Sequence, residues 1–445
     1  MRYDLVIRNG MVATPNGMEA LDIGVKDGRI AALGMLTQAD AAEVFDAKGL
    51  TVLPGVIDTQ VHFREPGLEH KEDLASGTAA AAMGGVTAVF EMPNTKPSTA
   101  TAEELNDKIK RASGRAHCDF AFYVGATAEN VEQLPELEKL PGCAGVKLFM
   151  GASTGDLLVA DDATLERVLR HGRRRMAVHC EDEYRMRERK HLTEVAGATA
   201  HLHPEWRDAE SALIATQRLI RLARKAGRRV HVLHVTTAQE MAFLADHKDI
   251  ATVEATPQHL TLAAPDCYDR LGTFAQMNPP IRSAEHRAAL WEAVRSGVVD
   301  VIGSDHAPHT KEEKAKPYPQ SPSGMPGVQT LLPLLLDHMN QGKLSLQRLI
   351  DLTSAGAQRV FGLVGKGRIA LGYDADFTVV DLKAKKTIEA SWLKSKCGWS
   401  PFEGMTVTGW PMATIVRGAF AMRDGALQAP LGKPLRFGET LQPAE

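Results

Sequence analysis

Residues 56–67 read VIDTQVHFREPG: an apolar, β-rich run that closes on the polar residues Gln60, His62 and Arg64. A strand turns residues i and i+2 to the same face, so these three side chains are read as lying on one side. A histidine at 60 would make an H-x-H pair able to offer two imidazoles to one metal ion. Gln60 supplies only a neutral amide there. The stretch therefore poses two questions at once, what sheet the strand belongs to and whether a metal site stands at its end.

Moving outward, apolar runs of the same kind recur between helical patterns. From residue 51 they are TVLPGVIDTQVHF, GVTAVFEMPN, CDFAFYVGAT, CAGVKLFMG, RMAVHCED, RVHVLHVT, IATVEATP and VVDVIGSDHAP. Eight strand–helix units predict an α/β protein, a (β/α)8 TIM-like barrel in preference to a doubly wound sheet. Between them, T-x-x-E capping boxes at Thr101/Glu104 and Thr237/Glu240 open helices, and AESALIATQRLIRLARKAG has helical apolar spacing ending in glycine. The two ends differ. Residues 1–52 form short alternating runs broken by turns at Asn9-Gly10 and Asp27-Gly28, and β-like runs return from residue 366 in GRIALGYDADFTVVDL and MATIVRGAFAMRDG. The expected organisation is a barrel over 53–365 with a small β-sandwich domain built from 1–52 and 366–445.

The 445 residues are 44% hydrophobic and 24% charged, with a formal net charge of −3, which suits a large globular core and carries no electrostatic footprint for nucleic acid or an anionic membrane. A small-molecule substrate is expected, with neither nucleic acid nor membrane as partner. Cys118, Cys143, Cys180, Cys267 and Cys397 lack C-x-x-C spacing and suit free thiols in a reducing compartment. The opening MRYDLVIRNG alternates apolar and polar residues without the apolar run of a signal peptide, and no segment is long and apolar enough to span a bilayer. A cytoplasmic location is expected.

In a barrel the C-terminal strand ends converge on one site, so the polar residues closing each run are the candidates. They are His62, Lys147, His179, His234 and Asp305. A lone histidine at a strand end is more often structural, but three together with a carboxylate and a lysine fit a divalent metal site of nitrogen and oxygen ligands. His231, three residues before His234, is read by alternation as pointing to the outer face and structural. Lys147 lies inside an apolar strand, where an unpaired ammonium is costly. Its deprotonated amine can add carbon dioxide, and the resulting carbamate has two oxygens that bridge two cations. Asp305 has two readings, a helix N-cap or the carboxylate that moves a proton in amide hydrolysis.

Taken in order, PGVIDTQVHFREPG (54–67), GGVTAVFEMPNTKP (84–97), GVKLFMGAS (145–153), HCED (179–182), HVLHVTT (231–237), MNPPIR (277–282), SDHAPHT (304–310) and SPSGMPG (321–327) resemble the dihydroorotases, in the cyclic amidohydrolase branch of the amidohydrolase superfamily. CGWSPFEG and GRIALGYDADFTVVDL extend the resemblance to nearly the whole chain. It implies a centre of one or two Zn2+ ions per subunit in which carbamylated Lys147 bridges, His179 and His234 complete one site, and His62 and Asp305 serve the other. It also implies that a hydroxide attacks a ring carbonyl while Asp305 carries the proton. The family reaction is the reversible cyclisation of N-carbamoyl-L-aspartate to dihydroorotate in pyrimidine synthesis. Arg64 is placed to pair bidentately with the substrate carboxylate, with Asn94 and His309 beside it. Asn278 and the backbone near Pro326 and Gly327 resemble the groups that hold the ring's amide edges. Gln60 departs from the family's H-x-H and weakens the second metal site; Gln258 is given no role. A homo-oligomer, dimer or tetramer, is expected, and association with aspartate transcarbamoylase is compatible with the resemblance. The alternatives are a hydantoinase- or allantoinase-type cyclic amidase and a non-catalytic scaffold of the same fold.

Overall fold

The computed structural model describes residues 2–36, 40–153 and 157–438. Eight parallel strands form its centre: β1 (Val56–Val61), β2 (Val86–Glu91), β3 (Asp119–Gly125), β4 (Cys143–Phe149), β5 (Met176–His179), β6 (Val230–Val232), β7 (Ala251–Ala255) and β8 (Val301–Ile302). They lie side by side in chain order. The circle is closed by a parallel bridge between Val61 and His306, where the His62 N–H donates to the His306 carbonyl at 2.7 Å. This is the α/β barrel that the eight apolar runs predict.

The strands read as nearly continuous apolar runs because both faces are buried. Outward residues such as Val89, Phe122, Val146, Val178 and Val232 pack with helix residues Leu105, Leu165, Leu219 and Leu244. Inward residues Ile57, Phe90, Tyr123 and Ala177 pack on Phe361 and Phe437, which plug the floor. Phe90 sits 5.1 Å from the Phe361 ring and 5.7 Å from that of Phe437, both edge-on. The floor is apolar, so polar side chains collect at the other end. The helices begin and end where their caps dictate: Ala102–Ala112 at the Thr101/Glu104 box, Ala209–Ala226 against left-handed Gly227.

Both chain ends feed two smaller sheets. Strands Arg29–Gly34, Asp22–Lys26, Tyr3–Arg8 and Ala41–Asp46 form one. The other runs from Ala426–Leu427 through Phe377–Thr387 to Thr51–Pro54, Met11–Thr14 and Gly17–Ala20. Leu5, Ile23, Val52, Phe377 and Ile415 share one core. Asp27-Gly28 closes a hairpin, both residues at positive φ, whereas Asn9-Gly10 carries the chain from one sheet to the other.

The first apolar run needs correcting. TVLPGVIDTQVHF is two strands, because Thr51–Pro54 pairs antiparallel with Phe377–Val380 in the outer sheet and only β1 enters the barrel. The change of sheet falls at Gly55, where a Cβ would meet Thr87 Oγ1 at 2.3 Å. Only glycine passes there.

Candidate active site

A pocket at the C-terminal ends of the strands is lined by Gln60, His62, Lys147, His179, His234, Asn278 and Asp305. Lys147 stands inside β4 opposite Ala177 of β5, and Phe149 opposite His179, so both side chains face inward in register. His234 arrives differently. Its neighbours Val230 and Val232 face the helices, and plain alternation would turn residue 234 outward with them. A positive φ of 35° at His234 reverses the backbone, and its N–H donates to Glu254 Oε1 at 3.2 Å. Asp305 (φ 45°) and Arg64 (φ 66°) use the same device. Left-handed non-glycine residues cost roughly 1–2 kcal/mol each, a strain that clusters at functional sites.

His231 is a correction. It pairs in register with Ala177 and Thr252, bonds Thr252 Oγ1 through Nδ1 at 2.8 Å and lies edge-on to Phe361 at 5.2 Å. It therefore faces the barrel interior, beneath the pocket, and is a buried structural residue on the inner face. Asp305 is not a helix N-cap either; Thr310 caps the following helix, Lys311–Lys314.

The pocket has two halves. In the first, the His179 Nε2–H donates to Glu181 Oε2 at 2.8 Å, which leaves the Nδ1 lone pair facing His234 Nε2 at 3.0 Å. Although burial works to raise it, Arg207 and His179 hold the Glu181 carboxyl well below the usual range. Burial keeps both imidazoles neutral, and it pushes the Lys147 ammonium down to about 7. Lys147 Nζ and His234 Nδ1 are buried without a hydrogen-bond partner. In the second half, His62 Nδ1 lies 2.8 Å from Asn94 Oδ1 and must donate to it, so its other nitrogen presents a lone pair to Asp305 Oδ1 at 3.1 Å. Gln60 Nε2 donates to the same carboxylate oxygen at 3.0 Å, while Gln60 Oε1 is buried and unpartnered.

No three His, Cys, Asp or Glu side chains among the described residues meet closely enough to hold an ion by themselves, and the other donors lining the pocket are Gln60, Lys147, Asn278 and the hydroxyls of Ser153 and Ser323. Neutral imidazoles, a carboxylate, an amide oxygen and a near-neutral amine converge without protein partners for all of their lone pairs, which is the chemistry of a divalent cation site.

Beside the pocket, buried Arg64 donates from Nε to the Pro308 carbonyl at 3.1 Å and lies 3.3 Å from His309 Nε2 through Nη2. It has no ion-pair partner among the described residues. Arg64 thus lies against His309 and Asn94 against His62, and none of Arg64, His309 and Asn94 is among the residues that line the pocket. Pro326 and Gly327 do not line the pocket; the Gly327 N–H donates to His306 Nδ1 at 3.0 Å, and the wall is made by Ser323 and Gly324 instead. Phe149, Ser153 and Ala307 complete it and carried no signal in the sequence. Nor did Lys314: it is fully buried and donates to the Gln276 carbonyl at 3.0 Å and the Pro322 carbonyl at 2.8 Å. It ties the segment before Asn278 to the segment before Ser323. The C-terminal segment also reaches the site, since Trp399 Nε1 donates to the His309 carbonyl at 2.8 Å.

A (β/α)8 barrel that gathers three neutral imidazoles, a proton-accepting carboxylate and an unpaired buried amine at its strand ends defines a metal-dependent amide hydrolase. The chain belongs to the amidohydrolase family, whose model, described as the amidohydrolase family, matches residues 51–421. It is 39% identical to a dihydroorotase of Halobacterium salinarum over 97% of this chain and 99% of the relative. An allantoinase of Rubrobacter xylanophilus is 37% identical over 98% of each. Among solved structures, the L-hydantoinase (dihydropyrimidinase) of Arthrobacter aurescens superimposes with a TM-score of 0.92 at 31% identity, covering 97% of this chain and 99% of that one. Among the described residues, no helix is long and apolar enough to cross a membrane.

Proposed function

We propose that this protein is a dihydroorotase, interconverting N-carbamoyl-L-aspartate and dihydroorotate in pyrimidine synthesis. The observation that carries the reading is Arg64: a buried guanidinium without an ion-pair partner among the described residues, against His309 and two residues from His62, which lines the pocket. A buried cation left unpaired by the protein calls for an anionic ligand, and dihydroorotate carries a carboxylate that hydantoins and allantoin lack. The 39% identity to a dihydroorotase supports the same choice.

The residues that would hold zinc are His179, His234 and Lys147 on one side and His62, Asp305 and Gln60 on the other, with Lys147 as a carbamate shared between them. When bound, the metal supplies polarisation of the ring carbonyl and a water acidic enough to act at neutral pH. Asp305 takes a proton at its carboxylate and returns it to the ring nitrogen, held in place by Gln60 Nε2. Asn278, bonded to His203 Nε2 through Oδ1 at 3.0 Å, faces the ring's amide edge, and Ser323 and Gly324 present backbone to it. In this reading residues 53–365 carry the chemistry, and the flanking segments 1–52 and 366–445 support it; residues 439–445 lie outside those described. The five buried cysteines, none in a disulfide, support a cytoplasmic enzyme. Assembly as a dimer or tetramer belongs to the same reading.

A second reading, a hydantoinase- or allantoinase-type amidase, is favoured by the 37% identity to an allantoinase and by the close superposition on an L-hydantoinase. A spectrophotometric assay separates the two. Dihydroorotate hydrolysed far faster than allantoin or unsubstituted hydantoin is the expected result, and the reverse order would install the second reading.

A further inference from the structure

We infer that Lys71 is a positioning residue: it fixes the ring tautomer of His309 and so keeps the Arg64 guanidinium turned to the substrate's carboxylate. The inference rests on the carboxylate reading above and assigns a residue that the motif left without a role.

Lys71 sits in the turn after β1. Its Nζ lies 2.9 Å from His309 Nδ1 and 3.2 Å from Glu313 Oε1. Paired with that carboxylate it is an ammonium, which has three donors and no lone pair, so His309 Nδ1 must be the acceptor. In a neutral imidazole the proton then stands on Nε2. That N–H meets the Ser323 carbonyl at 2.9 Å, and Ser323 is part of the pocket wall. Burial, with Arg64 and Lys71 close by, disfavours a charged ring.

One contact changes meaning as a result. Arg64 Nη2 is 3.3 Å from His309 Nε2, a distance that looks like a hydrogen bond. With Nε2 protonated it is a donor facing a donor. Neither group satisfies the other: the ring N–H is held by the Ser323 carbonyl, and Arg64 Nη2 is left for an anionic oxygen reaching it from the pocket. Without Lys71 only the Ser323 carbonyl favours this tautomer; a ring that gives up that bond and carries its proton on Nδ1 frees the Nε2 lone pair to accept from Arg64 and tie the guanidinium to the protein. The unpaired guanidinium is thus maintained by a lysine on the far side of the ring.

The test uses the full-length, metal-loaded enzyme. With 15N-labelled histidine, the His309 ring of the wild type should show the Nε2–H tautomer, and an Nδ1–H signal overturns the inference whatever the variants do. Lys71→Met should raise KM for dihydroorotate about tenfold, the scale of one charge-assisted hydrogen bond, with kcat within about twofold. Lys71→Arg, which keeps a donor at Nδ1, should restore KM. Should Lys71→Met leave KM unchanged while Arg64→Met raises it, this inference falls and the carboxylate pocket stands. Were both variants to leave KM unchanged, the dihydroorotase reading would fall with it. If Lys71→Met does not fold, the wild-type ring spectrum and Lys71→Arg still decide.

Discussion

The two halves of the pocket are built from similar residues and solve the same problem differently. Around Lys147, His179 and His234 the protein leaves polar atoms without partners: Lys147 Nζ and His234 Nδ1 are buried and have no hydrogen-bond partner among the described residues. Around His62 and Asp305 more of the polar atoms are met by the protein, His62 Nδ1 by Asn94 and Asp305 Oδ1 by the amide of Gln60, although the His62 Nε2 lone pair faces that same carboxylate oxygen. Leaving a buried polar group unmade costs roughly 1–3 kcal/mol, so the first half gains from a ligand the polypeptide does not supply. The second half can close on itself. The difference teaches that Gln60 supports Asp305, since its Nε2 holds the carboxylate oxygen that, in the proposed function, a second cation would use.

The sharpest way to break this comparison is to remove the centre of the first half. Lys147→Ala should lose bound metal and fall below detectable turnover, with partial recovery in short-chain carboxylic acids that replace the missing anion; metal analysis and the dihydroorotate assay read both. An unmodified amine at residue 147 in an active, metal-replete crystal would remove the carbamate from the account. Next in size, Asp305→Asn should fold normally and lose about 10²–10⁴-fold in kcat in both directions, the scale of a lost general acid/base group. Near wild-type turnover would move the proton transfer elsewhere.

Arg64→Met tests whether the second half adjoins a carboxylate. KM for dihydroorotate should rise by about 2 kcal/mol, roughly 30-fold, with kcat less affected. Steady-state kinetics with an uncarboxylated ring as control decides it. The smallest effect is the most specific to this chain. As chelator is added, metal should leave in two steps, the ion near His62 first. Gln60→His should tighten that ion about tenfold, a change on the scale that ligand-shell alterations produce. Two equally tight ions in the wild type, unmoved by the substitution, would show that the amide is an adequate donor and that the two halves are equivalent.

Much of this was legible in the sequence. Eight apolar runs with helical segments between them determine a barrel, because strands buried on both faces need continuous apolar residues and parallel strands need crossovers. The polar residues that close those runs, His62, Lys147, His179, His234 and Asp305, are legible for the same reason: a polar group at the end of a buried strand must be solvated, paired or functional. Lys147 and His179 could also be placed on the correct face, since their strands stay extended as far as those residues. His231 could not. Counting back from His234 put it outside the barrel, and the count failed because the positive φ at His234 reverses the alternation between them. That φ is held by Glu254, twenty residues along the chain, through the His234 N–H. Tertiary structure likewise decided that Ser323 and Gly324, and not Pro326 and Gly327, form the wall, and that Lys314 and Lys71 lie against the site instead of in solvent. Periodicity assigns a side chain to a face only while the backbone remains extended. Where the strands end, contacts from distant segments choose the dihedral angles, and the direction of each side chain becomes a property of the assembled barrel.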